Sequence, residues 1–165
     1  MPSGTYTVKL EGARIAGYQT ILMALLRDAH YLANPQIWCG DIMAKHVTKV
    51  ADRMGLDPAT WHAELRIIGQ NANLGTLEQR TSATTELGVL AILTAPEQTT
   101  ADTLGKMINP YLLHHPLTQE EEQPTFAFPF SPAEIDRGAV YEFVLHHVMA
   151  LADPMDAFRL VVTDV

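Results

Sequence analysis

Seven histidines and a single cysteine are the side chains of this 165-residue chain whose chemistry turns over near neutral pH. Four of the histidines come as neighbours, His114-His115 and His146-His147. Around the second pair, Tyr141, Phe143, Leu145, His147 and Met149 alternate with Glu142, Val144, His146 and Val148, which predicts a strand. On a strand His146 and His147 face opposite ways and cannot share one metal ion. His147 is a candidate acid/base group, with Tyr141 on its face as a candidate substrate contact; the ordinary alternative is a hydrogen-bonded histidine at a sheet edge. His114 stands past an expected helix end, where it either assists proton transfer or caps carbonyls at the negative end of the dipole. No HxxxH, HExxH or CxxC spacing occurs, so neither a metal nor another cofactor is expected.

Two further groups suit an anion. Arg27-Asp28 either forms a loop ion pair or presents a guanidinium fork to a carboxylate or phosphate, steadied by the aspartate. Asn71, Asn73 and Gly75 either form an ordinary turn or offer amides to an oxyanion. The glycine spacing of a dinucleotide fingerprint and the lysine of a P-loop are both missing from that loop. Cys39 has no histidine at ligand spacing and reads as buried packing.

Bulk properties limit the partners. A net charge of −8 argues against nucleic acid and anionic membranes, and no apolar run is long enough to span a bilayer. One cysteine excludes an internal disulfide, and the N-terminus lacks the basic-then-apolar plan of a leader, so a cytoplasmic protein is expected. Charged residues make up 18%, low enough to suggest subunit contacts.

The elements that must position these groups follow from periodicity. Strands are expected over residues 5–10 and 19–25, separated by Gly12 and Gly17, with a polar loop over 27–30. Asn34-Pro35 opens a helix whose apolar steps run to Met54 and whose end is Gly55. A strand over 61–69, a polar loop over 70–81, a central strand over 85–94 and a helix over 97–108 ended by Pro110 come next. An acidic segment covers 118–123. Prolines 124, 129 and 132 then hold residues 126–131 extended, with Phe126, Phe128 and Phe130 on one side as a cover for apolar surface. A helical turn over 134–137 and strands over 140–151 and 158–163 complete the chain. The order predicts one α+β domain over residues 1–165, a mostly antiparallel or mixed sheet with two main helices on one face in a split-βαβ, ferredoxin-like plan.

FAFPFSPAEID at 126–136, GAVYEF at 138–143, His147 and Asp153-Pro154 resemble the C-terminal region of the acyclic terpene utilisation (AtuA-type) family. LEGARIAGY at 10–18, Arg27-Asp28, the loop at 69–75, TELGVLAILTAPEQTTA at 85–101 and LLHHP at 112–116 extend the resemblance over nearly the whole chain. Pro124-Thr125 stands in place of the family's Gly-Asn, and Ala29 in place of its proline. The resemblance implies a branched acyl-CoA or carboxylic acid substrate and chemistry of the lyase or hydratase class. It also implies a small subunit or stand-alone domain, working with a larger chain like the family's N-terminal region or as a homo-oligomer. The alternative is a non-catalytic assembly module docking a larger subunit through its phenylalanine-rich segment.

Overall fold

A computed structural model describes residues 5–79, 84–118, 128–153, 155–159 and 161–163. The strands are β1 (Tyr6–Leu26), β2 (His62–Ile68), β3 (Leu87–Ala95) and β4 (Glu134–Leu151), and the helices α1 (Ala29–Ala33), α2 (Pro35–Ile42), α3 (Thr48–Arg53) and α4 (Gln98–His114). The sheet order is β2-β3-β1-β4, with β3 antiparallel to both β2 and β1. A four-stranded antiparallel sheet with helices after β1 and β3 is the α+β class expected from the sequence. The chain divides into two compact units, Gly17–Val140 and the pair Met1–Ala16 with Tyr141–Val165.

In the larger unit, β3 alternates: Val89, Ala91, Leu93 and Ala95 are buried, while Leu90, Ile92 and Thr94 are half-buried. On β1, Leu22, Ala24 and Leu26 share the buried face. Helical side chains close over it, among them Trp38, Ile42, Val50, Leu104, Ile108 and Leu112, all almost wholly removed from water. Each such side chain contributes about 1.5–3 kcal/mol relative to exposure. The opposite face sets Ile21 across from Ile92 and Met23 across from Leu90, all half-buried.

Gly12 and Gly17 do not break β1, which runs through both as one strand where two were expected. Gly17 has φ 152°, and a Cβ there would lie 2.9 Å from the Ala95 carbonyl oxygen. The glycine admits a close backbone approach instead of ending the strand.

The helix expected from Asn34 to Gly55 is α2, a π-helical turn at Met43–Val47 and α3 in unbroken succession, ended by Gly55 at φ 66°. Residues 27–30, expected as loop, instead lead into α1, whose N-cap Asp28 accepts a hydrogen bond from the His30 amide at 2.8 Å. Helix α4 continues past its expected end, with Pro110 inside it. Proline forgoes one amide bond near the helix end, while buried Leu112 and the capping bond from His115 N–H to the Tyr111 carbonyl, 3.1 Å, hold the last turn.

Residues 134–137, expected as a helical turn, begin β4. Residues 158, 159 and 161–163, expected as a strand, carry none. Phe128 packs against the core, whereas Phe130 is 51% exposed, so these two rings do not form the expected common cover. Phe126, Pro124, most of the acidic segment, the end of the 70–81 loop, Pro154 and Leu160 lie outside the described residues.

In the smaller unit, β4 runs antiparallel to the first part of β1. Glu11 lies near His146 at 3.7 Å, and Arg14 Nε donates to Glu142 Oε1 at 2.5 Å. A Cβ on Gly12 would touch both Val144 and Leu145.

Candidate functional site

The helical stretch from Pro35 to Arg53 and the end of α4 bring together a cluster within the larger unit. Asp41 and Lys45 are one turn apart, and the lysine ammonium donates to Asp41 Oδ2 at 2.6 Å. His46 follows in the π-helical turn, a local widening found often at functional sites. Its ring stacks on Tyr111 of α4, with centroids 3.9 Å apart and planes at 11°. His46 Nε2 lies 3.0 Å from His115 Nδ1. On the far side of the second ring, His115 Nε2 is 3.6 Å from Asp41 Oδ2 and otherwise without a hydrogen-bond partner.

Buried groups pin His115. The Trp38 indole N–H donates to the His115 carbonyl at 2.7 Å, and the Leu117 amide donates to the Tyr31 hydroxyl at 3.2 Å. Trp38 and Tyr31 themselves meet edge to face, with centroids 6.3 Å apart. The segment leaving α4 is thus fastened by the same aromatic side chains that fill the core.

Electrostatics keep both imidazoles neutral at pH 7. Burial pulls the His46 pKa below its ordinary value first, followed by the proximity of His115, Lys49 and Lys45, with Asp41 opposing. Burial also lowers that of His115, against an opposing pull from Asp41. The hydrogen bond from Lys45 holds the Asp41 carboxyl below its usual range. Lys45, His46, Lys49, His115 and residues 116–118 line a groove of about 360 Å³. The cluster can therefore exchange a proton beside two ammonium groups, a combination suited to a small anionic or carbonyl-bearing ligand.

The residues nominated from sequence are placed differently. His114 ends α4 with its side chain exposed, while its neighbour His115 enters the cluster. His147 is exposed in the smaller unit, and among the described residues no hydrogen bond or ion pair orients its ring. Tyr141, also in that unit, is 67% exposed. Arg27 is exposed and 3.7 Å from Glu86, and Asp28 caps α1. Asn71 and Asn73 line a second groove, of about 370 Å³, beside Glu64 and Arg66, whose side chains bond to each other. Sequence reasoning missed Asp41, Lys45, His46, Lys49 and His115. The i, i+4 spacing of Asp41, Lys45 and Lys49 along a helix was the available signal, but nothing local ties it to His115.

Burial raises the Cys39 thiol pKa to about 12, leaving it protonated and inert. Among the described residues, no group of three or more His, Cys, Asp or Glu is arranged to hold a metal ion, and no helix is long and apolar enough to cross a membrane. Comparison with protein-family models, curated proteins and solved structures finds no match to the chain.

Proposed function

We propose that this chain supplies an acid/base site for a branched acyl-CoA or carboxylic acid substrate, in chemistry of the lyase or hydratase class, as a small subunit or stand-alone AtuA-like domain. One observation carries the reading: two neutral imidazoles in hydrogen-bond contact border a groove that also holds Lys45 and Lys49. Removing a proton beside a carbonyl, or delivering water to a conjugated double bond, needs a neutral base, and it needs positive charge where an enolate develops. His46 is the base in this reading, and Lys49, which has no ion-pair partner among the described residues, meets the developing charge. Lys45 is neutralised by Asp41. A groove of about 360 Å³ accommodates a short acyl group and leaves any coenzyme tail outside. The resemblance of residues 126–136 and 138–154 to the AtuA-type family supports the substrate class. The test is hydration of branched enoyl-CoA thioesters by the purified chain, alone and with a co-expressed larger subunit. Turnover that is lost in His46→Gln supports the reading, and equal turnover in that variant refutes it.

A second reading, an assembly module, is favoured by apolar surface. Tyr141, Phe143, Val144 and Val148 are each more than half exposed on β4, and the sheet face bearing Ile21, Ile92, Met23 and Leu90 is only half-buried. Such surface marks contact with another chain. Light scattering of the purified protein separates the cases: a monomer at all concentrations removes a homo-oligomer, and failure to capture a larger subunit removes the module.

A further inference from the structure

Resting on the acid/base reading above, we propose that Asp41 and His115 are positioning residues that fix the proton of the pair, so that Nδ1 of His46 is the atom that accepts a proton from the ligand. The His115 side chain, at the buried end of the pair, is 10% exposed, and its Nε2 has the Asp41 carboxylate as its nearest acceptor, 3.6 Å away. Lys45 keeps that carboxylate ionised, and an ionised carboxylate can only accept. A lone pair on Nε2 would face that negative charge, whereas a hydrogen there is attracted to it. His115 therefore carries its hydrogen on Nε2.

A neutral imidazole has one N–H, so Nδ1 of His115 then holds a lone pair. That lone pair lies 3.0 Å from His46 Nε2. Two lone pairs at this distance would repel, so His46 donates from Nε2, and its own Nδ1 is left as the free base. The opposite arrangement would set a lone pair of His115 against the carboxylate and leave that buried nitrogen without a donor. The other groups bordering the rings do not reverse this polarity: Lys45 and Lys49 come from the same helical stretch as His46, and Tyr111 from α4 stacks on it. When His46 takes a proton at Nδ1, the bonding pair stays on the ligand. The new imidazolium keeps its Nε2–H on His115, whose other nitrogen faces the carboxylate. This is the arrangement by which an acidic partner fixes the tautomer of a catalytic histidine.

The test is a long-range proton–nitrogen correlation spectrum of the full chain, labelled with ¹⁵N-histidine, recorded without ligand at a pH where both rings are neutral. Both His46 and His115 are expected in the Nε2–H form. In Asp41→Ala, both nitrogens of His115 are expected to shift towards the average of the two tautomers, with His46 following. In Lys45→Met, which keeps the carboxylate, the wild-type pattern is expected. An Nδ1–H form for either ring in the wild type overturns the proposal, as does an Asp41→Ala spectrum identical to it. Reversed tautomers in Lys45→Met would assign the proton position to the lysine and overturn it too. Should Asp41→Ala not fold, the wild-type assignment decides alone. The spectrum needs no substrate: an inactive protein with the expected pattern removes only the acid/base reading, and an active one with reversed tautomers removes only the positioning role of Asp41 and His115.

Discussion

His46 Nε2 and His115 Nδ1 approach to 3.0 Å, with ring planes at 76°, although 69 residues separate them along the chain. At that distance two imidazolium ions would repel and lose the hydrogen bond between them. The contact is stable only while at least one ring is neutral, which ties the site's chemistry to the pH dependence of the fold.

Stability is expected to fall as the pH drops below about 6.5, the value of an unperturbed imidazole. Both histidines have lowered pKa values in the folded state, so just below that pH the unfolded chain binds more protons than the folded one. Unfolding then becomes easier with acid until the folded-state values are passed, and above about 6.5 the pair is without effect. The Asp41 carboxyl is lowered as well, chiefly by Lys45, so its contribution is present above about 3.9 and is lost at more acidic pH, in a separate window. Urea midpoints between pH 8 and 5 measure the first window, in which each tenfold difference in proton affinity between folded and unfolded chain corresponds to roughly 1.4 kcal/mol. The double variant His46→Gln/His115→Gln should flatten this limb, and an unchanged limb would show that the pair does not cause it.

Turnover on a branched enoyl thioester is expected to drop by about 10²–10⁴-fold in His46→Gln. His114→Gln and His147→Gln should stay within about threefold of wild type, because neither exposed ring is held as a general base must be. Lys49→Gln is expected to lower kcat with little change in KM, because that ammonium meets the charge of the developing enolate; a raised KM with unchanged kcat would assign it to ground-state binding instead. A larger loss in His147→Gln than in His46→Gln would move the catalytic centre to the smaller unit.

Trp38→Phe keeps most of the buried ring but removes the indole donor to the His115 carbonyl. An unsatisfied buried carbonyl costs about 1–3 kcal/mol, visible as a lower urea midpoint. Because the same bond sets the position of His115, the histidine signals should shift as well. A variant with wild-type stability and unchanged histidine signals would show that the bond contributes nothing to either.

Gly17→Ala tests the single-strand course of β1. The new methyl would meet the Ala95 carbonyl at 2.9 Å and Thr94 Cγ2 at 3.0 Å, at a φ that alanine rarely adopts. A loss of about 1–3 kcal/mol is expected from strain at such a position. Gly55→Ala, at the helix end with open space around it, isolates the backbone part of the effect, since its φ is also positive but nothing obstructs a Cβ. Equal losses in the two variants would leave no role for the close approach at Gly17.

Much of the architecture was legible in local pattern. The alternation through β3, the apolar steps from Ile37 to Met54 and the glycine at 55 each encode an element by themselves, because helices and strands repeat at 3.6 and 2 residues whatever their surroundings. Their order was enough for the α+β class. Exceptions arose where tertiary contact outweighed local preference: Gly12 and Gly17 lie inside a strand, Pro110 inside a helix, and residues 134–137 in β4.

The candidate site was hardest to read. His114-His115 was visible as a pair of proton-active residues, yet which of the two turns inward depends on the helix end and on Trp38 gripping a carbonyl. His46 had no neighbour in sequence to mark it. The residue types thus set which groups can exchange a proton near neutral pH, since that is a property of each side chain. Their meeting was decided by the burial of Trp38, Tyr31 and Leu112, because only a packed core holds two groups so distant in sequence within one hydrogen bond.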